Sequence, residues 1–186
     1  MATFLDLKNI SKRFGGVQAL TDVDLTLEAG EVHCLVGENG SGKSTLIKII
    51  SGVQPPEAGG TITIEGRSYT QLNPVESTRA GIQVIYQDLS LFPNLTVAEN
   101  IAVGQHLGGF RPVDWTAIRK IAEAAMARIN VHLDLDAKVE DLSIANRQLV
   151  AICRAMAADA KLVIIDEPTA SLARHEVDAL LSLVRE

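Results

Sequence analysis

Nine residues, Gly37-Glu38-Asn39-Gly40-Ser41-Gly42-Lys43-Ser44-Thr45, constrain this chain more than any other stretch. They match G-x-x-x-x-G-K-[ST], and their setting is as informative as the pattern. Val32 to Val36 (VHCLV), a short and nearly continuous apolar run, precedes them, and Ser44 to Ile50 reads as a helix. An apolar run of that kind predicts a strand buried on both faces. Strand, glycine-rich loop and helix in that order make a phosphate cradle. The glycines let successive backbone N–H groups curl around an anion with no Cβ in the way. The helix start adds its partial positive charge. Lys43 supplies a compact cation for β- and γ-phosphates, and the Ser44 hydroxyl suits Mg²⁺.

A second acidic feature fits the first. Leu162-Val163-Ile164-Ile165 predicts a strand, and it ends in Asp166-Glu167. In open α/β sheets ligands bind at the carboxyl ends of strands. Asp166 is therefore a candidate to hold Mg²⁺ through its hydration shell, and Glu167 to polarise a water for attack on a γ-phosphate.

Between these motifs the texture changes. Val23, Leu25 and Leu27 alternate with Asp24, Thr26 and Glu28, the pattern of a half-exposed strand. A turn at Glu28 to Glu31 follows. Thr61 to Ile64 with Glu65-Gly66 reads as strand and turn, and Ile82 to Tyr86 as another buried strand. From about Gln87 to Ala160 helix prevails. Ile118, Ile121, Ala122, Ala125 and Ile129 share one helical face behind a candidate N-cap, Asp114. A second helix starts near Ser143 with Ala145, Leu149, Ile152 and Met156 as its apolar face, and a third covers about 174–186. The layout is an α/β core interrupted by a helical lobe of about seventy residues.

Composition narrows the partners. With 186 residues, 47% of them hydrophobic, the chain is large enough for one sizeable core. A net charge of −6 excludes an electrostatically driven nucleic-acid binder. The start, MATFLDLKNI, lacks the features of a secretory signal, and no apolar run approaches the length of a membrane span. Cys34 and Cys153, both in apolar stretches without partners at metal-ligand spacing, read as small core residues. His33, His106 and His132 read as surface or strand histidines.

The order of motifs resembles the ATP-binding subunit of an ABC transporter. It runs from the phosphate loop through Gln87 after IQVIY and LSIANRQ (Leu142 to Gln148) to DEPTASL (Asp166 to Leu172). LVGENGSGKSTLIKIISGV and LFPNLTVAENI look most like the first ATPase domain of simple-sugar importers. The resemblance implies an α/β phosphate-loop NTPase core (1–87 and 160–186) with an antiparallel β subdomain. A helical lobe (88–159) carrying the signature motif is inserted into it. ATP and Mg²⁺ are the implied cofactors. The cradle is Gly37, Asn39, Gly40, Ser41, Gly42, Lys43, Ser44 and Thr45, with Phe14 stacked on adenine. That position alone reads equally as a core Phe. Mg²⁺ would be met by Ser44, Gln87 and Asp166. Lys43, Gln87 and Glu167 would serve hydrolysis, and Ser143 would face the γ-phosphate held by an opposing ATPase domain.

The implied partners are a membrane-spanning permease, a second ATPase domain and, indirectly, an extracytoplasmic sugar-binding protein, with no nucleic acid. The implied location is peripheral, on the cytoplasmic face of the membrane. The residues around Gln87 to Asn100, with Leu91, Phe92 and Leu95, would meet the permease. Ser171-Leu172 would lie at the interface between ATPase domains.

Departures from the family pattern lie at Ile144-Ala145-Asn146, where the common signature has Gly-Gly-Gln, and at Ala173, often Asp. The family's switch histidine ends a strand beyond residue 186, and His175 does not replace it. The expectation is an incomplete ATPase domain, marginally folded and without steady turnover alone. A soluble ABC ATPase without membrane partners, or a nucleotide-binding module that does not hydrolyse, are the other readings.

Overall fold

The computed structural model describes residues 2–104 and 113–166. They fall into two compact units that divide at residue 82.

The first unit is built on a four-stranded antiparallel sheet, in the order β2-β1-β3-β4. Its strands are β1 (Thr3–Phe14), β2 (Val17–Glu28), β3 (Thr61–Ile64) and β4 (Arg67–Tyr69). β1 pairs with β2 from Thr3↔Glu28 to Phe14↔Val17 and with β3 from Leu5↔Ile64 to Lys8↔Thr61. Leu5, Leu7, Ile10, Ile62 and Ile64 are buried, while Asp6, Lys8 and Thr26 stay on the wetter face. This is the period-two alternation that β2 announces in sequence. Glu65 (φ 46°) and Gly66 (φ 80°) form the two-residue turn between β3 and β4, since positive φ at both positions matches the strand twist. Helix α1 (Lys43–Ile50) buries Leu46, Ile47, Ile49 and Ile50. Helix α2 (Pro74–Arg79) is closed by a capping box between Asn73 and Glu76.

The second unit pairs β5 (Ile82–Ile85) with β6 (Leu162–Ile165) and packs α3 (Val97–Ala102), α4 (Trp115–Arg128) and α5 (Ile144–Ala157) together. The caps read from sequence hold. Asp114 Oδ1 accepts from the Ala117 N–H at 3.0 Å, and Ser143 Oγ accepts from the Asn146 N–H at 3.2 Å. The buried face of α5 is displaced from the expected stripe: of Ala145, Leu149, Ile152 and Met156 only Ile152 is buried, beside Gln148, Val150, Ala151, Cys153 and Ala155. Val150 and Cys153 pack with α3 and α4, and Ala151 and Ile152 with Ile85, Val163 and Ile165, while Leu149 and Met156 are half-buried. A helix covered from two sides needs more than one apolar stripe.

One expected strand is corrected. Residues 31–38 are not a strand, every residue of Val32 to Val36 is exposed, and Val36 reaches 88%. None of the described strands pairs with this run. A segment buried on both faces exists only where neighbours supply hydrogen bonds along both edges, and apolar composition cannot supply them. For the same reason Cys34 is exposed, against the expectation of a core residue, whereas Cys153 is buried as expected. The expected helix over 174–186, together with Glu167, Ser171, Leu172, Ala173 and His175, lies outside the described residues, as does His106.

Candidate nucleotide site

The loop before α1 has the properties of an anion cradle. Gly40 (φ 84°) and Gly42 (φ 92°) are left-handed, a conformation that costs other residues about 1–2 kcal/mol. At Gly42 a Cβ would also lie 2.5 Å from the Ala19 carbonyl oxygen and 2.7 Å from Leu20 of β2. At Gly37 a Cβ would meet Ser41 Oγ at 2.6 Å. The glycines therefore set the close approach of loop and strand as well as its curl.

The start of α1 stands apart from the other helices. Among the described residues, α2, α3, α4 and α5 are each closed by a side chain: Asn73, Thr96, Asp114 and Ser143. The α1 N-cap is Gly42, with no side-chain cap bond and no acid in the first turn. Four N–H groups at a helix start need external partners. Here they lie beside Ser41 and Ser44, both exposed, and beside the half-buried Lys43 and Thr45. The Lys43 ammonium donates to the Gly37 carbonyl at 2.6 Å and to the Glu38 carbonyl at 2.8 Å. The cation is thus folded over its own loop, which includes Asn39 and Gly40, at an uncapped helix dipole. The chemistry favours a multiply charged anion.

Phe14 ends β1 with 43% exposure, so it is a surface ring and not a core residue. The Lys12 ammonium lies 5.6 Å from its centroid.

In the second unit the structure brings the end of β6 beside the end of β5. The Asp166 N–H donates to the Ile85 carbonyl at 2.9 Å. Asp166 is half-buried there, and the exposed Gln87 follows Ile85 by two residues. Ser143 is exposed at the start of α5, next to Ile144, Ala145 and Asn146.

Two residues that the sequence reading passed over organise the segment after Gln87. Leu89 (φ 57°) and Ser90 (φ 46°) are consecutive left-handed residues, each carrying about 1–3 kcal/mol of local strain. Arg154 of α5 donates to both of their carbonyls at 2.9 Å, and burial pulls its pKa below the usual arginine value. Asn100, fully buried in α3, holds the next stretch. Its Oδ1 accepts from the Phe92 N–H, and its Nδ2 donates to the carbonyls of Phe92, Leu95 and Thr96. The available signal was a polar residue inside an apolar helical run, Asn100 among Val97, Ala98, Ile101 and Ala102 and Arg154 between Cys153 and Ala155.

Comparison with known proteins decides the family. Residues 20–170 match the model of the ABC transporter family. The chain belongs to that family. It is 44% identical over 191 residues to the D-allose import ATP-binding protein AlsA of Escherichia coli (strain K12). It is 46% identical over 185 residues to the ribose import ATP-binding protein RbsA 1 of Rubrobacter xylanophilus. Each match covers 100% of this chain but 37% of the relative. Among solved structures, the ADP conformation of MJ1267, an ATP-binding cassette of an ABC transporter, superposes with a TM-score of 0.85 at 28% identity. That match covers 100% of this chain and 76% of MJ1267. The dimeric, post-hydrolysis cassette MJ0796 with ADP and Pi gives 0.79 at 28% identity, over 97% and 81% of the two chains. The expected ABC ATPase fold is therefore present. Among the described residues no helix is long and apolar enough to cross a membrane.

Proposed function

We propose that the chain is the ATP-binding and ATP-hydrolysing part of a sugar importer. One observation carries the nucleotide reading: the start of α1 is the described α-helix start without a side-chain cap, and Lys43 is folded over the loop in front of it. The import names of relatives at 44–46% identity support sugar as the cargo. We divide the domain into a nucleotide-binding core (1–87 and 160–186) and a helical lobe (88–159).

In this reading the α1 amides, Gly37 to Gly42 and Lys43 hold the phosphates, with Thr45 behind them and Phe14 against the adenine. The donor set suits Mg²⁺, because the Ser44 hydroxyl, the Asp166 carboxylate and the Gln87 amide are hard oxygen ligands. Held by these residues, Mg²⁺ would supply neutralisation of the phosphate charge. Glu167 accepts the proton of the attacking water. The water oxygen bonds to the γ-phosphorus as the bond to the β–γ bridging oxygen breaks, giving ADP and phosphate. Ser143 faces the γ-phosphate of a second ATPase domain, as the dimeric form of MJ0796 suggests. The permease docks on the Gln87–Asn100 stretch, where Phe92 is 47% exposed, and the subunit sits at the cytoplasmic membrane face.

Lys43→Ala in the full chain tests the nucleotide reading. Loss of the cation weakens ATP binding about 10- to 150-fold, from charge-assisted bonds of about 1.5–3 kcal/mol. A fluorescent-ATP titration with unchanged affinity overturns it. Glu167→Gln separates hydrolysis from binding: it keeps affinity and lowers turnover about 10²- to 10⁴-fold.

A further inference from the structure

The Gln87 segment turns through Leu89 and Ser90, two consecutive left-handed residues that are not glycine. The Leu89 N–H donates back to the Tyr86 carbonyl at 2.9 Å, so the turn encloses Gln87 and Asp88. Successive carbonyls of a helical turn point the same way, as at a helix end, and set two partial negative charges side by side. The Arg154 guanidinium meets both, with Nη1 to Ser90 O and Nη2 to Leu89 O, each at 2.9 Å. A planar fork matches paired acceptors in a way that a lysine ammonium does not. Among the described residues Arg154 forms no ion pair with a carboxylate, and both of its terminal nitrogens bond to this turn. Leu89 and Leu91 anchor the same segment against Ile85, Ala151 and Ile152.

We infer that Arg154 is a positioning residue for Gln87. From near the end of the helix that Ser143 caps, it holds the Leu89–Ser90 turn in its left-handed form and so fixes where the Gln87 amide is displayed. The inference rests on the proposed role of Gln87 at the Mg²⁺ site. A general packing role for Arg154 would loosen the helices around it. A clamp loosens the turn alone.

Two measurements on the full chain test this. In hydrogen exchange without nucleotide, Arg154→Met speeds exchange of the amides of residues 88–92 about tenfold or more, while those of α4 keep the wild-type rate. Arg154→Lys falls between, and it carries the test if the Met variant does not fold. In Mg²⁺ titrations of ATPase activity, Arg154→Met raises the Mg²⁺ concentration for half-maximal rate, in the same direction as Gln87→Ala, with ATP affinity measured without Mg²⁺ unchanged. Unchanged exchange at 88–92 in both Arg154 variants overturns the clamp. A Mg²⁺ shift in Gln87→Ala but not in Arg154→Met overturns the positioning of Gln87. If Gln87→Ala itself shifts nothing, the reading of Gln87 fails, and exchange alone decides whether Arg154 holds the turn.

Discussion

The Asn100 side chain grips Phe92 from both sides of one residue. Its Oδ1 accepts from the Phe92 N–H at 2.8 Å, and its Nδ2 donates to the Phe92 carbonyl at 3.0 Å. Because Asn100 is fully buried, no water can replace these bonds. Asn100→Leu, close in shape, leaves the Phe92 N–H without its partner, while the carbonyls of Phe92, Leu95 and Thr96 keep the N–H groups of Leu95, Val139 and Asn100. Chemical denaturation should show a loss of about 1–3 kcal/mol. A loss under half a kcal/mol would show that the loop re-forms without it.

Phe92 is the exposed end of that grip, since Leu91 turns into the core and Leu95 is half-buried. Phe92→Asp should leave ATP affinity unchanged and weaken assembly with the permease, measured by co-purification from membranes. Intact assembly and transport would remove this face as the docking surface.

Gly40 and Gly42 separate two costs that a glycine-rich loop usually confounds. Both are left-handed, but a Cβ at Gly40 meets open space while one at Gly42 strikes the Ala19 carbonyl. Gly40→Ala should cost about 1–2 kcal/mol of folding stability from backbone strain alone. Gly42→Ala should cost clearly more, because a backbone oxygen cannot rotate away. Equal melting temperatures for the two variants would contradict the geometry.

The cysteines make an internal pair of probes. Burial pushes the Cys153 thiol up to about 12, and Cys34 is exposed. At pH 8 a thiol reagent should modify Cys34 within minutes and Cys153 only on unfolding, because the thiolate is the reactive form. Mass spectrometry of the labelled peptides reads this directly. Early labelling of Cys153 would contradict the packing of α5.

Local chemistry was legible in the sequence, and non-local pairing was not. The alternation in β2, the Glu65-Gly66 turn and the caps Asp114 and Ser143 depend on neighbours a few residues away, and each is found as read. The phosphate loop was recognisable because glycine, lysine and serine must fall at fixed offsets. Val32 to Val36 failed because burial of a strand depends on which strands flank it, information held elsewhere in the chain. Arg154 and Asn100 were missed for a related cause. Their partners are backbone groups, which every residue has, so a polar residue in an apolar helical run marks the side chain but not what it binds. Gln87 and Asp166 were each read as following a strand, and the Asp166–Ile85 bond joins the ends of those two strands.

The two carbonyls that receive Lys43 bear on how the loop lets go. On the proposed nucleotide reading, phosphate arriving at the α1 start does not meet an idle cation, for the ammonium must surrender the Gly37 and Glu38 oxygens as it turns to the newcomer. Capture is therefore an exchange of partners, and its net gain is smaller than the gross attraction. Departure runs the same exchange backwards. A half-buried lysine stranded by a leaving anion would make the empty loop expensive and the product slow to escape; a lysine with somewhere to return keeps the cradle open for the next round.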